Sequence, residues 1–121
     1  MDIESATSAF SALAQATRIE AFRALVRSAP DGLAVSDLAR KLGIPQNTLS
    51  THLAILARAG LIRSERQSRL VFYRPQLDVV RALTLFLLKN CCEGRPELCR
   101  PLIADLEPRP RKAASNRRKL K

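Results

Sequence analysis

At 121 residues the chain is long enough for one domain with a modest core. Apolar residues make up 46% and aromatics only 4%, with no tryptophan; Leu and Ala dominate, which suits a folded soluble protein built of helices and argues against an extensive sheet. The formal net charge is +10, of which residues 1–107 hold +3 and residues 108–121 hold +7 with no acidic residue. A mildly basic body thus carries a strongly basic end. A polyanionic partner such as nucleic acid is expected, with a solvated, disordered end as the alternative for the tail itself.

The first residues, Met1-Asp2-Ile3-Glu4-Ser5, have neither a basic n-region nor an apolar h-region, so no signal peptide is expected. The longest apolar run, Leu83 to Leu88 interrupted by Thr84, is far too short to span a bilayer. A cytoplasmic location is expected, where thiols stay reduced.

Residues 7–14 read as helix, with Phe10, Leu13 and Ala14 on one face. Thr17 is a good N-cap for a second helix, whose stripe is Ile19, Phe22, Leu25 and Val26, before Pro30-Asp31-Gly32 turns the chain. Val35, Leu38, Ala39 and Leu42 mark a short third helix stopped at Gly43-Ile44-Pro45. A fourth begins at Gln46 or Asn47 and runs to about Ala59, capped by Gly60, with Leu49, Leu53 and Leu56 inward. Asn47, Ser50, Thr51, Ala54 and Arg58 point the other way. Short helix, glycine turn, second helix with a small polar outer face: this is helix-turn-helix geometry.

Ile62–Arg66 and Leu70–Arg74 then alternate by twos around Gln67-Ser68-Arg69, a two-stranded wing with a basic turn. Gln76 to about Asn90 returns to a helix so apolar that one side must pack on the body and the other on a second subunit. The fold class expected is mainly α with a small β-hairpin, a winged helix-turn-helix with four helices, a wing and a C-terminal dimerisation helix. It occupies residues 1–105, with a basic, disordered tail over 106–121.

Small polar side chains on a recognition helix can bond to base edges and phosphates. Asn47, Ser50 and Thr51 are candidates for base contact, with Gln46 and His52 in the DNA-facing set. Arg58, Arg63, Arg66 and Arg69 are candidates for phosphate and minor-groove contact. A merely solvated face is the alternative for each residue singly. His52, the sole histidine, sits near the edge of the inner face, where it serves as a hydrogen-bonded boundary residue or a phosphate contact; zinc is not supported. No His–carboxylate pair, glycine-rich phosphate loop or nucleophile with an evident base is present, so no enzyme is expected.

All three cysteines fall between Cys91 and Cys99. Thiolates are soft ligands, and three that converge can hold a thiophilic ion. Gly94 and Pro96 would end the last helix and let Cys99 return across Cys91 and Cys92, with Lys89, Arg95 and Arg100 favouring thiolate. Three thiolates suit pyramidal As(III) or Sb(III) and leave no fourth protein ligand for a closed zinc site. A disulfide switch using Cys99 and plain helix-end residues are the alternatives.

The blocks Ala12–Ile19, Leu38–Ile44 and especially Leu49-Ser50-Thr51-His52-Leu53-Ala54-Ile55-Leu56-Ala57-Arg58-Ala59-Gly60-Leu61-Ile62 resemble the ArsR/SmtB family of bacterial winged-helix repressors. The resemblance covers about residues 6 to 90. It implies a homodimer through the first and last helices, bound to double-stranded operator DNA and released by an inducer, with no membrane association. Arsenic and cadmium sensors of the family often carry Cys-Val-Cys-Asp-Leu before the recognition helix; here those positions read Ala34-Val35-Ser36-Asp37-Leu38, so that site cannot exist. The Asp/His set of the zinc and nickel sensors is also absent. A subset with a vicinal cysteine pair and a third cysteine past the last helix senses trivalent arsenic, and Cys91, Cys92 and Cys99 resemble it. The implied function is a repressor that leaves DNA on binding arsenite, antimonite or methylarsenite, with As(III) as inducer and no permanent cofactor. The alternative is a repressor that senses redox state or reactive sulfur through the same cysteines.

Overall fold

The structure, a computed structural model, describes residues 1–91, 97 and 100–106, with side chains through Leu88 and at 97, 100, 101 and 104–106. Two compact units divide the chain, residues 1–86 and 87–121.

The first unit starts with two helices that meet through alanine. Helix α1 spans Ile3–Leu13 and is capped by Asp2, whose carboxylate accepts the Ser5 N–H at 2.8 Å. That backbone hydrogen bond holds the Asp2 carboxyl below the usual range. Helix α2 spans Ala16–Arg27, and its cap is Gln15, which accepts the Arg18 N–H at 3.0 Å; Thr17 already lies inside the helix. The inner faces are Ala6, Ala9 and Ala12 on α1 and Ala21, Ala24 and Leu25 on α2. The larger residues expected inward stay partly out: Phe10 is 40% exposed, Ile19 43% and Val26 38%. Small side chains let the two helices approach closely, and the space goes to backbone rather than to rings.

Gly32, with φ +84°, turns the chain into β1, Leu33–Ala34. This two-residue strand is too short to show alternation in the sequence. Helix α3, Val35–Leu42, ends where Gly43 adopts φ +69° and the N–H groups of Gly43 and Ile44 both return to the Ala39 carbonyl, at 2.9 and 3.2 Å. Left-handed closure of this kind favours glycine. Helix α4, Gln46–Arg58, follows Pro45 and buries Leu49, Leu53 and Leu56 completely.

Gly60 releases the chain into β2, Ile62–Gln67, which pairs antiparallel with β3, Leu70–Pro75, across the two-residue turn Ser68-Arg69. Strand β1 adds to the far side of β3, Leu33 opposite Tyr73 and Ala34 opposite Phe72, giving the order β1-β3-β2. The wing is therefore the outer part of a three-stranded sheet. The core joins Leu25, Leu38, Leu49, Leu53, Leu56, Leu61 and Ile62, all fully buried or nearly so. Helix α5, Leu77–Cys91, packs Leu83, Val79, Val80 and Phe86 against that core and exposes Leu77 and Leu85, each 49%. The expected winged helix-turn-helix, mainly helical with a small sheet, is the fold observed.

In the second unit the described residues include the end of α5 and α6, Arg100–Leu106. Cys91 closes α5; its side chain, Cys92, Cys99, the turn through Gly94-Arg95-Pro96 and the tail from residue 107 lie outside the described residues. Among the described residues no helix is long and apolar enough to cross a membrane.

Candidate nucleic-acid interface

Burial of Leu49, Leu53 and Leu56 fixes the rotation of α4 and so dictates which residues face out. Gln46, Asn47, Ser50, Thr51, Ala54 and Arg58 are all exposed. The helix carries no carboxylate, so nothing on it repels a phosphate backbone. Two of the polar groups are partly occupied locally: Asn47 Oδ1 accepts the Thr48 N–H at 2.9 Å, and the Thr51 hydroxyl donates to the Asn47 carbonyl at 3.3 Å. The Asn47 amide donors and the Ser50 hydroxyl stay available for base edges.

His52 does not share this row. It is half-buried on the flank of α4, with Nδ1 3.3 Å from an Arg18 terminal nitrogen. A guanidinium only donates, so Nδ1 can take part in this contact only as the acceptor. The same Arg18 donates through Nε to the Ala12 carbonyl at 2.6 Å, tying the end of α1 to α2 and α4. Arg18 carried no periodicity or motif chemistry that would single it out in the sequence.

The three wing arginines are not one cluster. Arg66 and Arg69 are exposed toward the turn and have no partner among the described residues. Arg63 lies at the base of the wing opposite Arg74, on the other sheet face from Arg66, and donates to Gln76 Oε1 at 3.4 Å. The only carboxylate in the wing, Glu65, is held by Arg74 at 2.8 Å, so its charge is compensated. Arg74 also reaches the Asp31 carbonyl at 3.3 Å, which anchors the sheet to the turn before β1. The polar, carboxylate-free row of α4 and the basic wing tip each have the chemistry that suits a DNA groove and its flanking phosphates.

Residues 13–65 match a family model described as a helix-turn-helix domain. The chain is 34% identical over 91 residues to the HTH-type transcriptional regulator KmtR of Mycobacterium tuberculosis, an alignment covering 75% of this chain and 68% of that protein. It superposes on an ArsR-like transcriptional regulator from Rhodococcus sp. RHA1 with a TM-score of 0.66 at 27% identity, over 84% of this chain and 89% of the other. The chain belongs to the ArsR/SmtB family of winged helix-turn-helix transcriptional regulators. Another relative is the transcriptional activator HlyU of Vibrio cholerae, 34% identical over 62 residues, which are 51% of this chain and 57% of that protein. The reduced form of HlyU superposes with a TM-score of 0.59 at 29% identity, over 74% of this chain and 90% of the other.

Family membership makes the chain a DNA-binding transcriptional regulator rather than an enzyme. The position of the family's cysteine pair is closed here: Ala34 is 2% exposed in β1, and Ser36 is half-buried in the first turn of α3. Among the described residues no three His, Cys, Asp or Glu side chains are grouped to hold a metal ion.

Proposed function

We propose that this chain is a homodimeric repressor that leaves its operator when trivalent arsenic binds Cys91, Cys92 and Cys99. The observation that carries the reading is the confinement of every cysteine to one short stretch at and just past the end of α5. Thiolates there suit a soft pyramidal ion with three sulfur ligands. Arsenite, antimonite and methylarsenite share that chemistry, the last needing only two sulfurs. The domain proposed spans residues 1–105, with residues 106–121 a basic extension.

Dimerisation is supported by apolar surface on the two helices expected to pair. Ile3 is 71% exposed and Phe10 40% on α1, and Leu77 and Leu85 are half exposed on α5. These side chains give the two helices apolar surface that a second copy would cover. Base contacts are assigned to Asn47, Ser50 and Thr51 with Gln46, and phosphate contacts to Arg58, Arg66 and Arg69. Arg63 and His52 serve as supports at the wing base and the α4 flank. Ligation at the end of α5 would change the dimer arrangement and hence the spacing of two α4 helices, which must match half-sites about one helical turn apart.

Mobility shift with arsenite under full reduction tests the function. Release of DNA by the parent and none by Cys99→Ser is the expected result. Equal release by Cys99→Ser would sink the three-sulfur site. The second reading is redox sensing through the same thiols, favoured by the solution of a relative in a named reduced form. It predicts release by oxidant only, and no response to arsenite in the reduced protein.

A further inference from the structure

We propose that a cleft between α1, α2 and α4 binds a phosphate group. Its polar lining is Ser8 and Ser11 of α1, Arg18 of α2 and Arg58 of α4, around a space of about 350 Å³ that Ala12, Ile55 and Ala59 also line. No carboxylate lines it. Arg18 is half-buried, and its two hydrogen bonds go to the Ala12 carbonyl and the His52 ring, neither of which carries a negative charge. The ion pairs among the described residues are Arg40–Asp37 and Arg74–Glu65, so Arg18 and Arg58 are uncompensated there.

Two guanidinium groups on the walls of one cleft repel each other. The carboxyl ends of α1 and α4 offset part of this, since a helix end carries a charge of roughly −0.5. About one positive charge remains in the cleft, where Arg18 is half-buried and so less screened than in bulk water. The Ser8 and Ser11 hydroxyls, one turn apart on α1, make no hydrogen bond among the described residues and complete the donor set. Forked guanidinium donors with added hydroxyls match the several acceptor oxygens of a phosphate. The cleft is roomy enough to take the group together with what it is attached to.

The group has two sources, a free phosphate compound or the backbone of duplex DNA, because Arg58 also ends the outward row of α4. The geometry of the cleft carries the proposal, and the arsenic reading is not needed for it. The test is titration of the full-length reduced protein with inorganic phosphate, followed by nitrogen-15 NMR and compared with sodium chloride at matched ionic strength. Expected are saturable shifts at the Ser8, Ser11, Ile55 and Ala59 amides and the Arg18 and Arg58 Nε groups. Affinity should fall about tenfold or more in Arg58→Ala and in the double variant Ser8→Ala with Ser11→Ala. These substitutions put a strong helix former at exposed helix positions, so folding is retained. DNA as the source gives another pattern. Inorganic phosphate then fails to saturate, the salt slope for a non-specific duplex falls by about 1 in Arg58→Ala, and the serine double variant also binds that duplex more weakly. Phosphate shifts no larger than those of chloride, with duplex binding by the serine variant unchanged, would overturn the proposal.

Discussion

Arg18 and His52, on different helices, meet at 3.3 Å, and the same guanidinium closes the carboxyl end of α1 at the Ala12 carbonyl, 2.6 Å away. One side chain thus fixes α1, α2 and the recognition helix relative to one another. Losing it leaves a carbonyl and a ring nitrogen without their donor in a half-buried place. Arg18→Ala is expected to cost about 1–3 kcal/mol, and each kcal/mol lowers the midpoint by about 4–8 °C in a domain of this size. His52→Ala should cost less, since the Ala12 bond survives. A double-mutant cycle by thermal unfolding is expected to show a coupling of about 0.5–1.5 kcal/mol; strict additivity would mean the pair contributes nothing.

Gly32 is the most confined of the described glycines. A Cβ there would lie 2.7 Å from the Tyr73 carbonyl oxygen and 2.8 Å from Arg74 Cγ, and φ is +84°. Gly43 shares the left-handed backbone, φ +69°, but a Cβ there meets open space. Gly43→Ala should therefore show only the conformational cost of about 1–2 kcal/mol, while Gly32→Ala adds displacement of β3 and costs about 3 kcal/mol or more. Urea denaturation of the two variants separates them. Similar midpoints would show that β3 yields easily.

These positions also mark what the sequence could and could not disclose. Leu49, Leu53 and Leu56 lie at helical spacing behind a Gly43 stop, so α4 and its outward row were legible with no structure at all. The inner faces of α1 and α2 were legible only in part: Leu25 is buried and Leu13 and Phe22 pack on the core as expected. Periodicity weights large apolar residues and so points to Phe10, Ile19 and Val26, whereas close helix contact selects Ala9, Ala21 and Ala24. Strand β1 went unread because two residues carry no period, and its pairing with β3 depends on the close approach at Gly32. The shared exposure of Gln46, Asn47, Ser50, Thr51 and Arg58 on α4 followed from periodicity, but the half-burial of His52 and the separation of Arg63 from Arg66 require the packing of α4 and the register of β2 on β3. The Arg18–His52 contact spans 34 positions, and nothing local encodes it.

The outward row of α4 makes a charge test of DNA binding possible without touching the core. Ser50 is exposed and its hydroxyl has no partner among the described residues, so Ser50→Glu should leave stability within about 0.5 kcal/mol. Placed in a groove flanked by two phosphate backbones, the new carboxylate should lower operator affinity by about 100-fold or more. Arg66→Ala and Arg69→Ala should each weaken binding about equally for all sequences and reduce the salt slope by about 1. Fluorescence anisotropy across a salt series reads both effects. An unchanged salt slope in both arginine variants would remove the wing tip from the interface.

Leu83 and Leu85 stand two residues apart on α5 and differ in burial, which separates core packing from the proposed dimer contact. Leu83 is 6% exposed and packs into the core; Leu85 is 49% exposed. Leu83→Ala should destabilise each subunit by about 2–5 kcal/mol. Leu85→Glu leaves the core intact and puts a charge into the surface assigned to the partner, where an unpaired buried charge is strongly unfavourable. Sedimentation velocity should then show Leu85→Glu as a folded monomer at concentrations where the parent is a dimer. Because a monomer presents one recognition helix, its affinity for a two-half-site operator should fall toward that for a single half-site. A Leu85→Glu protein that still sediments as a dimer would place the interface elsewhere than on this face of α5.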